Sequence, residues 1–228
     1  MRRFGYVYFL AVLIGTLVIG LEHLFLPMAI RVSTVRSVAG QDYALNQLGA
    51  FARRPFLIGL HAAFGVLFAS IIPMQFWRGF RRRFRSAHKW IGWTFAISTV
   101  AVAVTGIGVS YAYPFAGRAG VVPNVIFGLI LVALMVTAVN HARSREIAKH
   151  EEWVLRAAMC GLGIALSRLY LMILVQWFGL PARESMAQVF WLGAGTNLLL
   201  VELWIRRYGV DAKRLRVLDT VVSEQGAA

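Results

Sequence analysis

Six runs of about 20 predominantly apolar residues constrain this chain more than any other feature. They lie at approximately 4–27, 56–77, 90–112, 122–142, 153–178 and 186–205. At about 1.5 Å per residue, each run is long enough as a helix to cross the roughly 30 Å hydrocarbon core of a bilayer. Lipid offers backbone N–H and C=O groups no partner, so segments of this kind must satisfy their hydrogen bonds internally. The expectation is an all-α polytopic membrane protein: a six-transmembrane-helix bundle forming one domain over 1–208, followed by a charged tail at 209–228. Composition agrees, since 59% of the residues are hydrophobic and the mean hydropathy is +0.66, against roughly 45–50% apolar residues in soluble domains.

The charged residues set a direction. Lys and Arg number 24 against 10 Asp and Glu, a net charge of +14. Such a surplus suits nucleic acid only when it covers one face of a soluble fold; here it falls between apolar runs, so nucleic acid is excluded and the bilayer is the partner. With six spans both termini share a side. Placing them in the cytoplasm puts sixteen Lys and Arg in inner segments, six in outer ones and two within a span, as the positive-inside bias requires. The expected location is the inner (plasma) membrane, with anionic lipid at the arginine cluster of residues 78–85. The run from Phe4 to Leu21 exceeds the roughly 7–15 apolar residues of a signal peptide, so the first span is expected to be retained. Cys160 is the only cysteine, which excludes disulfides, iron–sulfur ligation and a thiolate zinc site.

The connection at 28–55 is the longest, and "YALNQLGAF" within it suits a short interfacial helix with Tyr43, Leu45, Leu48 and Phe51 on its apolar side. Pro114 and Pro123 are expected to bracket the next outer loop, and Gly179 with Pro181 to mark the third. Gly161, Gly163, Ala165, Gly193 and Gly195 are expected at close helix contacts. No span shows an obvious mid-helix break and no internal repeat is evident, which disfavours a transporter.

Ionisable residues inside spans are costly enough to be site candidates. All five histidines fall near span ends, where an interfacial role facing headgroups and water is the simpler reading. Their depths nevertheless sort them into an outer pair, His23 and His61, roughly 6 and 8 Å inside their span ends, and an inner trio, His88, His141 and His150. Two layers of imidazole on facing helices suit a bundle holding b-type haem by axial ligation. Both His61 and His88 are followed one turn later by glycine, Gly65 and Gly92, which leaves room for a flat macrocycle on the same helix face. Arg156 and Arg168 lie within the fifth span and need anionic partners. For Arg168 these are Glu22 or a haem propionate; for Arg156, Glu152, a propionate or a headgroup. The inner trio with Glu146, Glu151 or Glu152 also offers the ligand set of a histidine-ligated metal centre, as in a metal-dependent membrane hydrolase. Trp77, Trp90, Trp93 and Trp153 near His88 suit a quinone site, but an interfacial aromatic belt explains them better.

The segment "HAAFGVLFASIIPMQFWRGFRRRFRSAHKWIGWTF", followed by "HARSREIAKHEEWVLRAAMCGLGIALSRLYL", resembles the bacterial integral membrane family designated domain of unknown function 2306. The resemblance covers roughly residues 57–175 and rests on motif order: His61, then Gln75 and Phe76, a basic loop, His88 with Gly92, His150 with Trp153 and Arg156, and finally Arg168. It implies a polytopic bundle and carries no activity over. It also favours His88 and His150 as a site, because His23 and His141 fall outside the motif. The layout is only loosely similar to cytochrome b561 and ferric-reductase-like bundles. The functional expectation is a b-type haem protein transferring electrons in the membrane. The alternative is a non-catalytic subunit or assembly factor, binding other membrane protein subunits and no cofactor.

Overall fold

The computed structural model describes residues 2–209, with the side chains of residues 2–4, 28, 29, 38 and 51 excepted. The tail expected at 209–228 lies, apart from Gly209, outside the described residues. Ten helices follow in order: α1 (Arg2–Phe25), α2 (Met28–Ala39), α3 (Gln41–Arg53), α4 (Pro55–Phe76), α5 (Arg78–Arg83), α6 (Arg85–Ala112), α7 (Gly117–Arg143), α8 (Ile147–Gly161), α9 (Gly163–Gln176) and α10 (Ala182–Tyr208). Six segments are long and apolar enough to cross a membrane: Gly5–Phe25, Pro55–Phe76, Arg85–Ala112, Gly117–Arg143, Ile147–Gln176 and Ala182–Tyr208. Among the described residues there is no strand. The protein is therefore a multi-pass six-helix membrane bundle.

α4 packs between α1 and α6; α6 passes to α7, and α7 to α8 and α10. The fifth span closes the bundle, with α9 against α1 and α10. Phe68, Phe95, Leu131, Met135, Ala157, Ala158 and Leu162 fill the middle, all nearly inaccessible. Asn197 is a fully buried polar side chain at the centre. Its amide donates to the Met159 carbonyl at 2.9 Å and its oxygen accepts from the Tyr8 hydroxyl, which ties the last span to the fifth and the first. A side-chain amide buried without such partners would cost on the order of 1–3 kcal/mol.

Four expectations change. The fifth span is interrupted at Leu162, where α8 ends and α9 begins. The chain is closely packed on both sides of this residue: a β-carbon on Gly161 would stand 2.5 Å from Phe68 Cζ, and one on Gly163 only 2.8 Å from the Ala194 backbone. Pro123 does not precede a helix but sits within α7, near its start. As the seventh residue of α7 it lies beyond the first four N–H groups, which have no helical partner, so it removes the helical hydrogen bond to the Ala119 carbonyl. The long connection forms two helices, α2 and α3, and the buried side of α3 is not the expected apolar stripe. Tyr43, Ala44 and Ala50 are buried while Leu45 is exposed, because α3 rests on the bundle through Tyr43, Gln47 and Ala50, which recur at helical spacing. Gly195, expected at a close contact, faces nothing within 4 Å.

Candidate ligand cavity beneath α3

α3 lies over a cavity of about 340 Å³ that runs from Tyr43, Asn46 and Gln47 down to Phe68, Leu131 and Cys160 at mid-bundle. That volume falls within the roughly 300–1,000 Å³ of ordinary small-molecule sites. Its walls are mainly apolar and rich in glycine, including Gly20, Gly65, Gly106, Gly128 and Gly161. The floor is closed by Phe68, whose ring stacks on Phe95 at 5.0 Å between centroids.

Three of the expected residues meet here: His23 from α1, His61 from α4 and Arg168 from α9 all line the cavity. Hydrogen bonds fix the imidazole tautomers. His23 Nδ1 lies 2.7 Å from the Ile19 carbonyl, an acceptor, so Nδ1 carries the proton. His61 Nδ1 lies 3.0 Å from Thr105 Oγ1. The Thr105 proton already goes to the Ala101 carbonyl at 2.6 Å, so its oxygen accepts from His61. In both rings Nε2 is then the lone-pair nitrogen, the tautomer a metal-bound imidazole uses when its other nitrogen donates to a nearby acceptor. Gly106 makes room for His61, whose Cε1 stands 3.0 Å from the position of a β-carbon there. Gly65, one turn after His61, faces open space.

Arg168 does not meet Glu22. Its guanidinium donates to the Tyr43 hydroxyl and lies over the Tyr43 ring, 5.3 Å from the centroid. Tyr43 is held from two further directions, by Gln47 Nε2 at 2.9 Å from its oxygen and by the edge of Phe115 at 5.1 Å. Glu22 lies beside His23, Arg31 and Gln47 in a small adjoining pocket of about 10 Å³, the room of roughly one water. Tyr113 also lines the main cavity, and its hydroxyl is buried without a hydrogen-bond partner among the described residues. Tyr43 was read from the sequence only as an interfacial aromatic; nothing in its spacing pairs it with Arg168, 125 residues away.

At the opposite, arginine-rich end the expected trio does not assemble. His141 turns toward the loop and bonds Glu146 through Nδ1 at 2.5 Å, its ring parallel to Trp153. That bond and Lys149 at 3.2 Å hold the Glu146 carboxyl below its ordinary range. His150 Nδ1 donates to the Ala138 carbonyl at 2.8 Å. His88 keeps company with His150, Arg81 and Glu151, and Arg81 bonds Glu151 directly. Among the described residues no three His, Cys, Asp or Glu side chains gather as a metal group. His141 is bonded instead to Glu146. Arg156 pairs with Glu202 at 2.9 Å, not Glu152, and lies over Trp153 at 4.8 Å. Gly92 admits the Gln75 side chain, whose oxygen stands 3.7 Å from a β-carbon there.

Comparison with known proteins agrees with this layout. Residues 58–205 match the family described as "Predicted membrane protein (DUF2306)". The chain belongs to this family. No curated protein and no solved structure matches it. The matched DUF2306 segment begins within α4 and ends within α10, so it includes His61 and Arg168 but neither His23 nor α3. The cavity of this DUF2306 member is thus walled partly by family residues and partly by the chain that precedes them.

Proposed function

We propose that the chain is a membrane protein that holds a flat, amphipathic prosthetic group in the cavity beneath α3, and that this group is b-type haem serving electron transfer. The observation that carries the reading is the convergence of His23 and His61 on one glycine-walled cavity, each with Nδ1 committed to an acceptor and the lone pair on Nε2. Both imidazoles fit axial ligation, the glycine walls fit a planar ring, and Arg168 fits a propionate. Bound haem supplies one-electron exchange. The protein supplies fixed tautomers, a floor closed by Phe68 and Phe95, and an apolar surround that tunes the potential. We further read the Arg78–Arg83 end as cytoplasmic and in contact with anionic lipid, since Arg78, Arg82, Arg83 and Arg85 are exposed there beside Trp77 and Phe84.

The test is the visible spectrum of the purified protein, oxidised and then reduced with dithionite. A Soret band with sharp reduced α and β bands is expected, lost in His61→Ala and retained in His141→Ala. A colourless protein whose spectrum shows no axial ligation after hemin is added overturns the reading.

A further inference from the structure

Among the described residues, Arg168 is the only charged side chain lining the cavity, and no carboxylate lines it. Its partners are neutral: the hydroxyl and the ring of Tyr43. An arginine within a membrane span is costly without an anion, and it pairs best with a carboxylate or phosphate through two parallel N–H···O bonds. Arg156 on the same span illustrates the paired case, with Glu202 beside it. At Arg168 an oxygen does occupy the guanidinium, but it belongs to α3 and carries no charge. We infer that Arg168 is the recognition residue for a carboxylate on an amphipathic ligand, and that the Tyr43 hydroxyl holds the position of that carboxylate oxygen until the ligand displaces it.

The geometry gives the ligand its other properties. Besides Arg168 the lining is mainly apolar and includes Phe68, Phe127, Leu131, Ile164 and Phe190, so the rest of the molecule is largely apolar. The displaced Tyr43 hydroxyl retains Gln47, on its own helix, as a partner. α3 therefore stays satisfied when Arg168 turns to the ligand, and the exchange replaces a neutral acceptor with an ionised one that can take two parallel N–H···O bonds from the guanidinium. This inference rests on the cavity being a ligand site, but not on the ligand being haem.

The experiment compares two probes on the detergent-solubilised full chain: iron-free protoporphyrin IX, with its carboxylates, and its dimethyl ester, followed by fluorescence anisotropy. The free acid is expected to bind at least tenfold more tightly than the ester. Arg168→Gln should bring the acid down to the level of the ester, and Arg168→Lys should restore part of the difference. Tyr43→Phe should bind the acid as well as or better than the native chain, because no hydroxyl competes for Arg168. Equal binding of acid and ester, or an unchanged preference in Arg168→Gln, overturns the inference. If neither iron-free porphyrin binds, the comparison is made with oleate and oleyl alcohol, and the haem reading is decided by hemin. A preference for oleate that Arg168→Gln abolishes then upholds the inference without haem, and the absence of such a preference overturns it.

Discussion

His61 rests against Gly106, its Cε1 3.0 Å from where a β-carbon would stand, while Gly65 on its own helix faces open cavity. The two glycines therefore respond oppositely to the same change. Alanine in place of glycine favours a helix interior by about 0.5–1 kcal/mol. At Gly106 the added methyl also presses on an imidazole that cannot swing away without losing Thr105, a hydrogen bond worth on the order of 1 kcal/mol, and overpacking costs about 1–3 kcal/mol. Gly106→Ala should lower the thermal midpoint in detergent. Gly65→Ala should leave it unchanged or raise it, yet weaken porphyrin binding by filling the cavity. Equal midpoints for the two variants would contradict the placement of His61.

The six spans were legible because apolar length is a direct consequence of bilayer thickness. Local patterns also placed Gly179 at its turn, with φ of 65°. What was hidden depended on pairing across distance. Tyr43 with Arg168, Arg156 with Glu202 and Tyr8 with Asn197 join residues 125, 46 and 189 apart in sequence, and depth along a helix alone cannot say which faces meet. Depth groups His23 with His61, which line one cavity, and groups His141 with His88 and His150 without foreseeing the loop carboxylate five residues away that bonds it. The break at Leu162 escaped notice for a related reason. Glycine in a span signals close approach, here to Phe68 and Ala194, and does not by itself say whether the helix runs on.

Glu202 bonds Arg156 at 2.9 Å and Arg206 at 3.2 Å. The Arg156 side chain is 16% exposed and that of Glu202 35%, so the pair is more strongly coupled than a surface bridge yet still partly screened. Glu202→Gln should cost about 1–3 kcal/mol, between the values for exposed and buried pairs, because it strands a mostly buried guanidinium. Replacing both residues, Arg156→Met with Glu202→Met, should recover much of that loss. A double-mutant cycle on thermal unfolding measures the coupling. Strictly additive single effects would show that the pair contributes nothing.

The contact among His141, Glu146 and Lys149 should be sensitive to acid. Glu146 has its carboxyl depressed by the hydrogen bond from His141, then by that from Lys149. A carboxyl depressed on folding contributes stability above its unfolded value of about 4.5, and that contribution is lost as pH falls through the lower folded value. Amide exchange across residues 144–150 should quicken, beyond its intrinsic pH dependence, below about pH 4 and not between pH 5 and 7. Glu146→Gln should exchange quickly at both ends of that range. An unaltered pattern in Glu146→Gln would place the ordering of this loop elsewhere.

The packing of α9 against α10 should be the least forgiving contact in the bundle. A β-carbon on Gly163 would meet the Ala194 backbone at 2.8 Å, and one on Gly193 would meet Ser167 Oγ at 2.1 Å and the Gly163 carbonyl at 2.6 Å. Backbone cannot rotate aside as a side-chain tip can, so relief requires the helices to separate. In lipid no hydrophobic gain between helices offsets the contacts then lost. Gly163→Ala and Gly193→Ala should each destabilise by at least the roughly 1–3 kcal/mol typical of overpacking, whereas Gly195→Ala, which faces nothing within 4 Å, should be neutral. Because α9 carries Arg168, the first two variants should also lose the preference for a carboxylate probe at temperatures where they remain folded. Normal stability and normal preference in Gly163→Ala would mean that α9 and α10 are farther apart than described.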